Sequence, residues 1–198
     1  MNSATQETAV SERCRRTYDN VVRLSEQLLQ LARQPEERLH FRAEHTSSWS
    51  VADHLNHLAR ANQAMAAAIR KVLESETSPT KDGLSLVGRA VLLTGWIPRG
   101  VGKAPEYAKP QPDSRTDLTS DLEAARQTVA GLAARLPQID RSPGRSRHFA
   151  FGGLRPSQWL RIMEIHTRHH LKIIDDIQSA AGSPWKAPTK SESTDSAR

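Results

Sequence analysis

The chain is expected to fold as an all-α four-helix bundle with one long crossover connection between its second and third helices. Three observations lead there. Four stretches carry apolar residues at helical spacing, and no segment alternates clearly enough to make a strand. A Gly- and Pro-rich connection of about 40 residues separates the middle two stretches, a length that implies a crossover or a functional lid.

The first helix is predicted over residues 8–33, with Val21, Leu24, Leu28, Leu31 and Ala32 on one stripe and Pro35 beyond its end. The second begins at Ser50, where Ser50 and Asp53 have the spacing of a capping box, and continues to about Glu76 with Val51, Leu55, Leu58, Met65, Ile69 and Val72 in register. The third is predicted from Asp117 to Leu136, stopping at Pro137. The fourth follows Pro156 and runs to near Gly182 with Trp159, Met163, His166, His170, Ile173, Ile174 and Ile177 facing inward. The connection has room for a short helix over Leu84–Thr94. Residues 1–182 are therefore assigned to the bundle. Residues 183–198, polar and broken by Pro184 and Pro188, are expected to form a disordered tail.

Composition narrows the partners. With 37% hydrophobic and 25% charged residues in 198, one ordinary soluble domain is the expectation. The start of the chain lacks the apolar run of a signal peptide. The most apolar stretch, Leu84–Ile97, is interrupted by Arg89 and too short to span a bilayer, so no membrane partner is expected. Cys14 is the only cysteine, which excludes an internal disulfide and a thiolate metal cage and points to the cytoplasm. The net charge of +6 raises nucleic acid as a partner. The basic residues are scattered, however, and no stretch interleaves aromatics with them to stack bases, so a solvated basic surface is the better reading.

The histidines carry the chemistry. His166 and His170 lie four apart, one above the other on the apolar stripe, so both imidazoles can reach one ion. His169 lies about 100° round the helix from His170 and is the weaker candidate. A metal site needs a third ligand from elsewhere, and the second helix offers His54 and His57. Periodicity leaves the choice open, with His54 nearer the core and His57 at the edge of the stripe. Asp53, one turn before His57, either orients that ring or caps the helix.

These residues resemble a known family. The segment Trp49-Ser50-Val51-Ala52-Asp53-His54-Leu55-Asn56-His57-Leu58 is similar to the helix-two motif of the DinB / YfiT-like superfamily, in which an acidic residue stands four after the Trp and a metal histidine eight after it. His148-Phe149-Ala150-Phe151-Gly152-Gly153-Leu154, then Trp159, His166 and His170, resembles the branch with a His-x-x-Phe-Gly-x-Leu loop before the last helix. The resemblance implies a DinB-like bundle in which His57, His166 and His170 bind a divalent metal, nickel or zinc, with His54 a neighbour. Many members follow the last histidine with Arg-Gly-Gln. Here Leu171-Lys172-Ile173 stand in its place, so thiol-transferase activity does not carry over residue by residue.

Three neutral histidines leave an ion its full charge and an open position, the arrangement of a catalytic metal. His148, in a loop with Arg141, Arg145 and Arg147, is the candidate for a fourth ligand, general base or substrate contact, a plain loop histidine being the alternative. Cys14 and Glu164 are not expected to take part, Glu164 because it stands only two positions before His166 and so points away from the ligand face. Two functions follow. One is a metalloenzyme that activates a thiol or water against a small-molecule substrate, with a low-molecular-weight thiol such as bacillithiol or mycothiol as the co-substrate the resemblance implies. The other is a metal-containing binding or stress-response module without turnover. Oligomeric state stays open, a homodimer being an arrangement that such bundles adopt.

Overall fold

Apolar residues at helical spacing dominate the chain, and the computed structural model, which describes residues 9–75, 80–100, 102–111 and 118–182, is built mainly of helices. They are α1 (Glu12–Ala32), α2 (Glu36–His40), α3 (Val51–Glu74), α4 (Leu86–Thr94), α5 (Leu118–Ala130), α6 (Leu136–Arg141) and α7 (Pro156–Ala180). Two 3₁₀ turns, Glu106–Ala108 and Ala133–Arg135, and two short strands complete the described residues. The tail expected at 183–198 and the proposed helix start at Asp117 lie outside them.

The long helices pack around a common core. α3 lies against both α5 and α7, and α1 against the same two, so α1 and α3 occupy opposite corners. The interior divides into two apolar clusters. One is built around Val21, Met65, Ile69, Leu136, Leu160 and Met163, the other around Leu28, Leu55, Leu58, Leu122, Ile173 and Ile174. On α7 the first cluster ends at Ile165 and the second begins at Leu171; His166, Thr167 and His170 fall between. The buried pair Asn62–Thr167 lies in the same polar layer, which interrupts the core at mid-height.

Helix ends follow local chemistry. Ser11 Oγ accepts the Cys14 N–H at 3.2 Å, so α1 begins at Glu12 rather than at residue 8. Ser50 and Asp53 form the expected capping box on α3. The helix anticipated up to Leu136 instead ends at Ala130. Gly131 N–H still donates to Gln127 O at 2.9 Å, but Leu132 N–H donates to Val129 O at 3.0 Å, so the helix tightens to i→i−3 bonding there. Pro137 does not stop a helix. It sits in the first turn of α6, where a missing N–H costs nothing.

The strands β1 (Ser146–His148) and β2 (Gly152–Leu154) pair antiparallel, Ser146 opposite Leu154 and His148 opposite Gly152. At three residues each they are too short for alternation to show in the sequence. The hairpin receives the chain that precedes α4: Gly153 N donates to Gly83 O at 2.8 Å, and Leu84 bridges to Gly152. A Cβ on Gly153 would collide with the Asp82 carbonyl oxygen. Gly153→Ala is therefore expected to lower the unfolding free energy by about 1–3 kcal/mol, measurable by urea titration; an unchanged midpoint would show that the two segments do not dock this closely.

Candidate metal centre

Two helices that meet over their length bring three histidines to one point. α7 starts cleanly, with Pro156 in its first turn and Gln158 Oε1 accepting the Arg155 N–H at 2.9 Å. Ten residues on, His166 and His170 project one turn apart toward α3. From α3, His57 Nε2 comes to 3.2 Å from His166 Nε2. His57, His166 and His170 each offer a ring nitrogen, all within 4.8 Å of one another. The geometry thus separates the two α3 candidates: His57 joins the cluster, and His54 stands behind it.

The hydrogen-bond partners dictate where protons sit. His57 Nδ1 is 2.6 Å from the carbonyl oxygen of Ala108, which can only accept, so Nδ1 carries the proton and Nε2 turns its lone pair on the cluster. That carbonyl belongs to the 3₁₀ turn Glu106–Ala108 in the long connection. Arg60 Nε donates to Tyr107 O at 3.0 Å and Gln111 N donates to Asn56 Oδ1 at 3.2 Å, which fastens the turn to α3. Asp53 does not reach His57. Its Oδ2 accepts from Ser50 N, Ser50 Oγ and Arg42 Nη2 at 2.8–3.0 Å, so capping is its role. His54 lies with Nδ1 at 2.9 Å from His170 Nδ1 and Nε2 at 3.0 Å from Ser47 Oγ. The half-buried Trp49 indole covers the group, its centroid 5.0 Å from His57, 5.3 Å from His54 and 6.3 Å from His170.

Burial keeps these rings neutral. It lowers His54 to about 4, with the neighbouring His57 pushing the same way. It lowers His57 less decisively, because the Ala108 carbonyl stabilises the protonated ring. His166 and His170 are driven well below the ordinary value, first by burial and then by the imidazoles around them. Neutral imidazoles whose nitrogens converge, with no carboxylate in the group, suit a divalent cation, which would keep its full charge there.

His148 lies outside this cluster. Its Nδ1 accepts the N–H groups of Ala150 and Phe151 at 3.1 and 3.3 Å, closing the turn between β1 and β2. Its ring stacks on Phe149 and Phe151. Of the arginines near it, Arg141 donates to Ala9 O and Arg147 pairs with Asp82. Glu164 turns away from the histidines as anticipated, accepting from Asn20 on α1 and from Arg161 and Arg168. His169 faces a separate open cavity of about 570 Å³, lined among others by Trp96, Ile97, Arg99, Arg168 and Lys172.

Cys14 is buried, and burial raises its thiol to about 11, with Asp140 pushing in the same direction. It is expected to resist alkylation at neutral pH until the protein unfolds, a contrast that thiol titration with and without denaturant reads directly. Rapid labelling of the folded protein would mean that the end of α1 opens.

Ala108, Asn56, Arg60 and Ser47 complete the surroundings of the site and were not singled out in the sequence. Ala108 acts through its backbone and so leaves no side-chain signal. Among the described residues no helix is long and apolar enough to cross a membrane. No curated protein and no solved structure matches the chain. A family model described as the DinB superfamily matches residues 13–174, a span that contains all three clustered histidines.

Proposed function

The chain belongs to the DinB superfamily, and from that premise we propose that His57, His166 and His170 hold one divalent metal ion, nickel or zinc, at which a thiol or water is activated against a small molecule. The convergence of the three ring nitrogens within 4.8 Å, one of them with its lone pair already set by Ala108, is the observation that carries this reading. When bound, such an ion supplies Lewis acidity and lowers the pKa of a thiol or water that reaches its open position.

The protein's own groups supply the rest. The Ala108 carbonyl and His54 hold two of the rings in place, and Trp49 shields the cluster from solvent on its side. The cavity beside His169 is lined by none of the three clustered histidines, so it offers room for a small molecule on the other side of α7 and not at the ion itself. Arg99 is paired with Asp176 and Arg168 with Glu164, which leaves Lys172 as the cation of that lining for an anionic group, beside the apolar Trp96, Ile97 and Ile165. His148 stands outside the cluster with Nδ1 committed to the hairpin, and its Nε2 is the atom through which it would contact a substrate or act as general base. Thiol S-transfer with a low-molecular-weight thiol, or a hydrolysis, are the two reactions that fit. A buried thiol and the absence of a membrane-crossing helix among the described residues suit a cytoplasmic setting.

One observation favours a metal-containing module without turnover: among the described residues no carboxylate joins the histidine cluster to act as general base. Turnover of an electrophile with a small thiol, abolished by chelation, separates the two.

The first test is elemental analysis of untagged protein beside His166→Ala. About one nickel or zinc per chain is expected in the wild type, and essentially none in the variant. No metal in either after reconstitution would make the histidines structural and end the proposal.

A further inference from the structure

Behind the three histidines stands a fourth, with a hydroxyl behind it. His54 is 2% exposed, yet both of its ring nitrogens have partners: Nδ1 lies 2.9 Å from His170 Nδ1, and Nε2 lies 3.0 Å from Ser47 Oγ. Ser47 Oγ also accepts the Trp49 N–H at 3.1 Å, which holds the hydroxyl at the mouth of the loop before α3. Two ring nitrogens at hydrogen-bonding distance cannot both carry protons, nor can both be bare without losing the bond. One donates and one accepts, and the direction decides which nitrogen His170 offers to the cluster.

We infer that His54 is a positioning residue for His170: with Ser47 it forms a directed relay that fixes the His170 ring in the Nδ1–H form and presents Nε2 as its ligand atom. This rests on the metal reading above, and the direction follows by elimination. His170 Nδ1 is occupied by His54, so Nε2 is the nitrogen left to coordinate, and a neutral ring that coordinates through Nε2 carries its proton on Nδ1. That proton is donated to His54 Nδ1, which must be bare. His54, also neutral, then carries its own proton on Nε2 and donates it to Ser47 Oγ. The hydroxyl oxygen has two lone pairs, enough for His54 and the Trp49 N–H together. Every buried nitrogen of His54 and His170 is then accounted for.

The relay gives the site an internal asymmetry. His57 is fixed by a backbone carbonyl and His170 by a side chain, whereas His166 Nδ1 is buried without a partner among the described residues. Outer partners of metal-ligating histidines commonly include a carboxylate or a carbonyl. Here a neutral imidazole does that work for His170, adding no negative charge and leaving the ion more electrophilic than a carboxylate partner would.

The test compares wild type, His54→Leu and His54→Asn in competitive zinc titration against a chromophoric chelator. His54→Leu removes the acceptor and should weaken binding by roughly 10–100-fold while a site of one ion per chain persists at saturation. His54→Asn puts an amide oxygen near the place of Nδ1 and should recover most of the loss, which a purely space-filling role would not predict. Equal affinity in wild type and a folded His54→Leu would overturn the relay. Should the leucine variant fail to fold, Ser47→Ala serves, with a smaller weakening expected and an unchanged affinity counting against the relay. The ring protons are read independently in metal-free wild type by long-range ¹H–¹⁵N correlation: Nδ1–H on His170 and Nε2–H on His54 support the relay, and the opposite pair overturns it. Wild type that takes up no zinc would end the metal reading alone, because the tautomers still decide the relay.

Discussion

Freed of metal by a chelator, the protein is expected to lose several kcal/mol of stability as the pH falls from 6.5 to about 4. His54 and His148 are buried and lowered to about 4 in the folded chain, against about 6.5 unfolded. Between those values the unfolded chain binds more protons, so acidification favours it. Stability is complete above pH 6.5, falls through the interval and levels off below it. On these shifts each of the two accounts for on the order of 3 kcal/mol. His57, His166 and His170, also lowered, act in the same direction. The carboxylate of Glu123, held at about 2 by Arg126 and Gln127, favours the folded chain above about 4.5 and loses that contribution as the pH falls toward 2, mostly below this window. Urea unfolding at pH 7, 6, 5 and 4 in the presence of chelator measures the effect. A flat profile across those four points would mean that the histidines are hydrated in solution.

Glu164→Ala is expected to cost roughly 2–4 kcal/mol in unfolding free energy and to leave metal stoichiometry unchanged. The carboxylate is 2% exposed and accepts from Asn20 Nδ2 at 2.9 Å, from Arg168 Nε at 3.1 Å and from Arg161 Nη1, so it ties α7 to α1. Removing it strands Asn20 beside two guanidinium groups. Those groups are 32% and 47% exposed and can rehydrate, which keeps the cost below that of breaking a fully buried pair. Glu164→Gln should fall between, since the amide oxygen still accepts from Asn20. A loss under about 0.5 kcal/mol would show that the network is ornamental, and metal loss would show that Glu164 acts on the histidines.

The features legible in the sequence are those with a period or a stereotyped cap. Leu55, Leu58 and Ile69 on α3 and Met163, Ile174 and Ile177 on α7 lie where helical spacing places them, in the buried core. Ser50 and Asp53 cap as their spacing implies. His166 and His170 share a face because they are four apart, but nothing periodic distinguishes His57 from His54. Only the resemblance selected His57, and the fold provides the reason: the Ala108 carbonyl holds His57 Nδ1 and leaves Nε2 facing His166, whereas both His54 nitrogens are taken by His170 and Ser47. The end of α5 at Ala130 was illegible because Leu132 and Leu136 continue the apolar spacing across Gly131 into a new helix. The hairpin at Ser146–Leu154 was illegible because three-residue strands have no period.

The Ala108 carbonyl also bears on how this site can drift over time. A contact made by the backbone is indifferent to the codon beneath it. Substitution of Ala108 by another small residue keeps the oxygen and the proton it fixes on His57, whereas the equivalent service from His54 to His170 survives only in a residue that sets an acceptor near the place of Nδ1. Ala108 is itself buried, so the freedom this gives is confined to side chains small enough for that place, with the path of the turn 106–108 kept. On the His57 side the ligand is fixed by the course of the chain, and on the His170 side by the identity of one residue.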